Sequence, residues 1–509
     1  MIRTRFPPSP TGFLHIGGLR TALFAYLFAK RNGGDLILRI EDTDQERFVE
    51  GGIESIVRSL EWAGIIPDEG VAMENGAITQ KGSHGPYIQS ERLPVYQAHI
   101  ETLLGNGHAY YCFCDRERLE ELRKMQELNK QPTGYDGHCR DFTEDEVEKR
   151  LAAAKKAGRA PVVRLKMPKE GETVFTDLVR GDVRFDNRLI DDQILMKSDG
   201  FPTYHFAVVV DDHTMKMTHV IRGEEWLSST PKHVVLYQMF GWELPQFAHL
   251  SLLINEQKQK LSKRHGDVSV EDFKEKGYLP EALVNFVAFL GWNPGGDREI
   301  FSLGELVKEF DFQHVSKSAA VFNREKLDWY NKAYMKALSK EELAKRALPF
   351  FLQKGSIQGI TSDGDVLADG FVTLAWLEEA VGLEQERAAT LVELVDNLDF
   401  LFAAQLQYDA TLLVWKKSTA EETKKTLGAL FTVFHAIPEE SWTKVHLEKT
   451  IMDWIQKSGL GVGDVLWPMR VALSGQKNSP GPFDIAGVLG KEKTMERVKR
   501  GLEKSVGVV

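Results

Sequence analysis

Three short stretches hold side chains able to do chemistry. The first is Leu14-His15-Ile16-Gly17-Gly18, which follows a proline- and glycine-set loop and opens a helical pattern. A helix N-terminus offers unpaired backbone N–H groups and a partial positive charge, so it takes an anion readily. The glycines let a phosphate or purine approach the backbone, and His15 adds a donor; alone, the same residues serve equally as tight packing with a cap. The second stretch is Lys260-Leu261-Ser262-Lys263-Arg264. Its cations suit a triphosphate, because Lys and Arg stabilise charge spreading over an α-phosphate and a departing pyrophosphate; a solvated basic loop reads the same. The third is Cys112-x-Cys114 followed by Cys139, which holds every cysteine of the chain. A Gly-x-x-x-x-Gly-Lys-Ser/Thr loop and a Gly-x-Gly-x-x-Gly fingerprint are both absent, residues 487–491 failing each.

The elements that must position these groups alternate at first. Residues 2–6 predict a strand and residues 7–12 a loop. Leu19, Ala22, Leu23, Tyr26 and Leu27 then recur at helical spacing until Asn32-Gly33-Gly34 stops the helix, and residues 36–40 predict a second strand. Two strands joined through a helix imply a parallel pair and an α/β sheet. Residues 116–130 form a charged helical pattern, Thr143 with Glu146 a capping box, and residues 161–167 and 181–185 short β-like runs. Residues 193–197, Ser198-Asp199-Gly200 and residues 201–210 read as strand, turn, strand. This order fits a nested α+β insertion that returns to the first sheet. From about residue 271 helical periodicity dominates, over 280–290, 339–352, 390–406, 420–436 and 447–458, and the C-terminal third reads as all-α.

The 509 residues carry 64 Lys+Arg against 74 Asp+Glu, a formal net charge of −10. That length implies several domains. A content of 42% hydrophobic and 27% charged residues excludes disordered and low-complexity classes. An acidic total is not the usual mark of a nucleic-acid binder. Yet Lys491, Lys493, Arg497, Lys499, Arg500 and Lys504 outnumber Glu492, Glu496 and Glu503 near the end, a local positive surface that an anion, or only water, would face. No apolar run approaches the ~18 residues of a membrane span. The N-terminal Met-Ile-Arg-Thr-Arg-Phe-Pro-Pro lacks an apolar signal core, so a cytoplasmic protein with no membrane partner is expected. An odd cysteine count argues against a disulfide framework.

Together, the His-Ile-Gly-Gly segment and the later Lys-Leu-Ser-Lys-Arg segment resemble the two signatures of class I aminoacyl-tRNA synthetases. Further stretches narrow the resemblance to bacterial-type glutamyl-tRNA synthetases. They are Arg5-Phe6-Pro7-Pro8-Ser9-Pro10-Thr11-Gly12, Arg39-Ile40-Glu41-Asp42-Thr43-Asp44 and Pro202-Thr203-Tyr204-His205-Phe206-Ala207. Val209-Val210-Asp211-Asp212-His213 and Ile221-Arg222-Gly223-Glu224-Glu225-Trp226-Leu227 follow. Gly277-Tyr278-Leu279-Pro280-Glu281-Ala282-Leu283 and Trp467-Pro468-Met469-Arg470-Val471-Ala472-Leu473 carry the likeness through the rest of the chain.

The resemblance implies a Rossmann-like parallel-sheet catalytic domain over residues 1–110 plus 204–255, with a nested α+β insertion over 111–203 that binds the tRNA acceptor end. A stem-contact domain over 256–335 would carry the basic loop, and an all-helical region over 336–509 would bind the anticodon. The implied reaction is ATP-dependent ligation of L-glutamate to tRNA(Glu) through glutamyl-adenylate, with Mg2+ accompanying ATP, in a monomer. Arg5, Pro7, Ser9, Glu41, Tyr204 and Arg222 would bind glutamate; forked guanidinium donors suit its carboxylates, and Glu41 with Ser9 its ammonium. His15, Gly17, Gly18, Glu225, Leu253 and Lys263 would bind ATP, with His15, Lys260, Ser262, Lys263 and Arg264 acting on the phosphates. Val208 stands where the family often has Asn. Some members hold zinc with the spacing of Cys112, Cys114 and Cys139 plus a His two positions on; here that position is Asp141, while His138 precedes Cys139, and either would supply a fourth ligand. Three free thiols are the alternative. Other readings are an enzyme that also charges tRNA(Gln), a glutaminyl-tRNA synthetase, a small-molecule nucleotidyltransferase, and an inactive tRNA-binding paralogue.

Overall fold

The computed structural model describes residues 1–261, 268–362, 370–416 and 418–505. The chain forms two compact units, Met1–Lys274 with Pro280–Arg324, and Glu275–Leu279 with Glu325–Val509. The first unit opens with β1 (Arg3–Phe6), α1 (Ile16–Arg31) and β2 (Asp35–Leu38). β1 and β2 run parallel, Arg3 opposite Asp35 and Phe6 opposite Leu38, as a strand–helix–strand order requires. α1 buries Leu19, Leu23 and Leu27 and ends at Asn32. Gly34 follows because a Cβ there would lie 2.1 Å from the Ile2 carbonyl oxygen. α2 (Gly52–Trp62), β3 (Glu69–Glu74) and β4 (Ala77–Lys81) complete this four-stranded sheet.

α3 (Leu93–Gly105) leads to β5 (Ala109–Cys112), α4 (Arg116–Leu128), α5 (Glu144–Lys156), β6 (Val162–Leu165), β7 (Glu172–Asp177), β8 (Gly181–Asp186) and β9 (Ile194–Met196). Thr143 and Glu146 form the capping box that starts α5. β5, β6 and β9 make a small antiparallel sheet. The β7–β8 hairpin departs from it and joins a sheet of order β10-β11-β7-β8, with β10 at His219–Gly223 and β11 at Gln246–Leu250.

Between β9 and β10 lies α6 (Tyr204–Thr214), and between β10 and β11 lies α7 (Thr230–Phe240). Residues 201–210 are therefore not a strand. Phe206 through Asp212 are all buried in α6. A helix covered on every side has no polar stripe, so its apolar run reads like a buried strand.

β12 (Leu253–Ile254), α8 (Val270–Glu275), α9 (Pro280–Ala288), α10 (Leu303–Glu309) and β13 (Ala320–Val321) follow, β12 pairing with β13. The second unit is built from α11 (Arg324–Ala337), α12 (Lys340–Lys354), α13 (Leu374–Gly382), α14 (Leu391–Leu398), α15 (Ala420–Ala436), α16 (Lys444–Ser458), α17 (Val462–Ser474) and α18 (Pro482–Ser505). One feature departs from the all-α expectation and one from the expected helix bounds. Gly359–Ile360 pairs with Phe371–Val372 as a minimal parallel bridge. The pattern over 390–406 closes early, α14 stopping at Leu398 and passing into a tighter turn over Asp399–Leu401.

Candidate active site

Arg5 is fully buried on β1. Its Nε donates to Asp212 Oδ1 at 3.1 Å and its Nη1 to the Ile221 carbonyl at 3.2 Å, while its Nη2 is buried with no partner among the described residues. A buried donor left unmet costs ~1–3 kcal/mol, so this nitrogen is available to a bound acceptor. Arg39, equally buried, donates from Nη1 to Asp212 Oδ1 at 2.7 Å and from Nη2 to Glu41 Oε1 at 3.0 Å. Burial pushes the Glu41 carboxyl up to about 7, against the pull of Arg39 and Arg5. The Glu41 N–H donates to the Pro8 carbonyl at 3.0 Å, tying the loop of Pro7, half-buried, and Ser9, exposed, to this cluster.

Arg222 stands on β10. It donates from Nη1 to Tyr204 Oη at 3.4 Å and from Nη2 to Thr230 Oγ1 at 2.9 Å. The Tyr204 ring lies 4.3 Å from that of Trp226, and its hydroxyl feels the charges of Arg222, Glu41 and Arg5 together. Arg5, Glu41, Tyr204 and Arg222 thus meet at one place. Val208, one helical turn after Tyr204, is 1% exposed in the apolar cluster of Phe206, Ala207 and Val209. It offers methyl groups where an amide would offer hydrogen bonds.

The phosphate-type residues assemble nearby in the same unit. His15 is the N-cap of α1, its Nδ1 accepting the Gly17 N–H at 3.0 Å. A Cβ on Gly17 would lie 3.4 Å from that nitrogen and 3.9 Å from Leu253 Cδ1, so Gly17 and Leu253 face each other. Gly18 serves packing: its Cβ would lie 2.9 Å from Leu14 Cδ1. The Leu261 N–H donates to the Leu253 carbonyl at 2.9 Å, Ile254 bridges to exposed Lys260, and Ile16 and Val270 exchange backbone hydrogen bonds with Val268 and Leu14. The first two residues of the basic motif are therefore fastened to Leu253 and Ile254, and Val268 and Val270, which come after it, to the segment Leu14–Ile16. Ser262, Lys263 and Arg264 lie outside the described residues. Glu225 is exposed, its carboxylate folded over Gly223, where a Cβ would lie 2.1 Å from Oε2.

Cys112, Cys114 and Cys139 bring their sulfurs within 4.8 Å of one another. The Tyr135 hydroxyl joins them, 3.4 Å from Cys112 Sγ and 3.6 Å from Cys114 Sγ. Hydrogen bonds from Cys139 and Tyr135 lower the Cys112 thiol below its ordinary value. Neither expected fourth ligand is in the group. Asp141 is exposed and faces Lys166 at 3.5 Å, and exposed His138 packs edge-on to Phe142. The oxygen that reaches the sulfurs belongs to a residue four positions before Cys139.

The basic segment near the end turns inward. Arg497 donates to the carbonyls of Phe400 at 2.7 Å and Ala403 at 3.3 Å and also to Leu473. Lys491 donates to the Ile437 carbonyl, Lys493 to Leu401, Arg500 to Ala404 and Lys504 to Leu406. These cations satisfy carbonyls at the ends of neighbouring turns. Five of the six cations are thus drawn to internal carbonyls, while Lys499 stays exposed. Sequence reasoning also passed over Arg39 and Asp212 as site residues. The available signal was a pair of aspartates closing the apolar run Val208-Val209-Val210, since buried carboxylates need buried cations.

Residues 1–329 match the family described as tRNA synthetases class I (E and Q), catalytic domain, and residues 342–502 match the anticodon binding domain. A glutamate–tRNA ligase of Alkaliphilus metalliredigens is 45% identical over 501 residues, with 98% of each chain covered. That of Clostridioides difficile is 46% identical over 507 residues, again with 98% of each covered. The crystal structure of a glutamate tRNA ligase from Elizabethkingia meningosepticum in complex with its amino acid superposes with a TM-score of 0.85 at 37% identity, covering 99% of both chains. The fold and site define a class I aminoacyl-tRNA synthetase of the E and Q type, and within that class the chain belongs to the glutamate–tRNA ligase family. Among the described residues no helix is long and apolar enough to cross a membrane.

Proposed function

We propose that this chain ligates L-glutamate to tRNA(Glu) with the residues assembled above, working as a cytoplasmic monomer. The observation that carries the pocket is the unpartnered Nη2 of buried Arg5, set beside Arg222, Glu41 and Tyr204. Glutamate carries two carboxylates and one ammonium, and this group offers two guanidiniums and one carboxylate. Tyr204 and Trp226 wall the aliphatic part.

ATP, brought with Mg2+ as its counter-ion, places its phosphates at His15 and Gly17 and its adenosine near Leu253 and Glu225. An α-carboxylate oxygen attacks the α-phosphorus in line, the bond to pyrophosphate breaks, and glutamyl-adenylate forms. The protein contributes position and charge stabilisation more than covalent chemistry. Lys260 and, by sequence, Ser262, Lys263 and Arg264 meet the charge on the leaving pyrophosphate. A ribose hydroxyl of the terminal tRNA adenosine then attacks the carbonyl carbon, and AMP leaves. The insertion receives the acceptor end and the helical half the anticodon.

Cys112, Cys114, Cys139 and Tyr135 suit a zinc ion, since three soft sulfurs and a phenolic oxygen make up a four-ligand donor set. Bound there, the ion would cross-link the end of β5 to the segment before α5. Aminoacylation with radiolabelled glutamate on purified tRNA(Glu) and tRNA(Gln) tests the reading. Charging of tRNA(Glu) is expected; charging of both would make the enzyme non-discriminating, and tRNA binding with no charging would overturn catalysis.

A further inference from the structure

We propose that Asp177 and His249 are positioning residues for Arg222, fixing the direction in which its guanidinium meets the substrate carboxylate. The inference rests on the glutamate pocket proposed above. The parallel register of β10 and β11 sets Arg222 opposite His249, so the two side chains leave the same face of the sheet as neighbours. Asp177 arrives from the end of β7, opposite Phe247. Arg222 Nε lies 3.1 Å from His249 Nε2, and His249 Nδ1 lies 2.6 Å from Asp177 Oδ2. Asp177 is 2% exposed, His249 0% and Arg222 5%.

Donor chemistry fixes the protons. Arginine has no acceptor, so His249 Nε2 must be one, and the ring must carry its hydrogen at Nδ1. Only a carboxylate held in place receives that hydrogen in one orientation. Asp177 is so held, its Oδ1 accepting the Val179 N–H at 3.0 Å and the Arg180 N–H at 2.9 Å, its Oδ2 the His249 N–H at 3.1 Å. The other edge of the guanidinium repeats the logic. Nη1 donates to His233 Nδ1 at 3.2 Å, which leaves the His233 Nε2 hydrogen for His205 Nδ1 at 3.1 Å.

Burial lowers His249, His233 and His205, the last to about 4, so no imidazolium competes with Arg222 for the substrate's charge. Each nitrogen of Arg222 thus has a fixed acceptor, and the guanidinium plane has no freedom to turn. An arginine held this way is preorganised, and binding does not have to supply the ordering.

The test is steady-state aminoacylation by the full chain, with glutamate and ATP varied separately, for D177N, H249L, H249Q and R222Q. An amide NH2 in place of the Asp177 carboxylate favours the other imidazole tautomer, turning an N–H against the Arg222 N–H. D177N and H249L are expected to raise KM for glutamate about tenfold while leaving KM for ATP unchanged, the scale of one misplaced charge-assisted hydrogen bond. H249Q keeps an amide oxygen for Arg222 and is expected to stay near wild type. If D177N does not fold, the contrast between H249Q and H249L decides. The proposal is overturned if R222Q raises KM for glutamate while D177N and H249L do not, or if they raise both KM values alike. R222Q with an unchanged KM for glutamate overturns the pocket assignment itself.

Discussion

Arg5 and Arg39 hold the same oxygen of Asp212, at 3.1 Å and 2.7 Å. One carboxylate between two fully buried guanidiniums is a strong constraint, because removing it takes the ion-pair partner from Arg5 and leaves Arg39 only Glu41 and Asp211. Asp212→Asn is expected to destabilise the first unit by about 3–5 kcal/mol, the usual result of breaking a buried pair on one side. Denaturant unfolding measures it; a loss below ~1 kcal/mol would mean that water reaches these groups.

Glu41 predicts a pH dependence with a definite sign. Burial raises its folded value from 4.5 to about 7, so the fold favours the protonated form. The stability this gives is full below pH 4.5 and is lost as pH rises through 7. In the proposed pocket, binding needs the opposite state, because only the carboxylate attracts an ammonium. KM for glutamate should therefore rise as pH falls below 7, along a one-proton curve. Glu41→Gln should abolish that curve and raise the melting temperature at pH 8, and a profile unchanged by the substitution would refute the assignment.

Metal analysis settles the cysteine group. About one zinc per chain is expected, with Cys139→Ser losing it and Asp141→Ala and His138→Ala retaining it. Tyr135→Phe should hold zinc more weakly, seen as faster loss to a chelator. A chain purified without zinc in zinc-supplemented medium would leave the three thiols as packing groups.

Arg497 separates capping from nucleic-acid binding. Arg497→Met strips hydrogen bonds from the carbonyls of Phe400, Ala403 and Leu473, and should cost the second unit about 3 kcal/mol. The slope of log K for tRNA against log salt should stay unchanged, because a buried cation releases no counterions. A shallower slope would return this residue to the phosphate-binding surface.

What could be read in the sequence follows the range of the interaction. α1 was legible because its apolar stripe and the Asn32 stop are local, and so was the capping box of Thr143 and Glu146. α6 was not, since burial all around erases the stripe that marks a helix. Arg5, Glu41, Tyr204 and Arg222, singled out by motifs, lie together in the fold; the partners that hold them were not singled out. Asp212 and His249 act on arginines remote in sequence, and the aspartates closing the apolar run at 208–210 call for a buried cation without saying which. Tyr135 was missed for a simpler reason: tyrosine is not among the usual zinc ligands, so its spacing from Cys139 went unread.

The shared carboxylate also has a consequence for how the chain is made. Asp212 lies 207 positions after Arg5 and 173 after Arg39. At ~5–20 residues per second of synthesis, roughly 10–40 s separate the first strand from its counter-ion. During that interval Arg5 lacks its ion-pair partner, and burying it then would leave an uncompensated charge. Glutamate binding is then a late event in the life of the nascent chain, and a ribosome stalled before the codon for residue 212 carries a product with no amino-acid pocket.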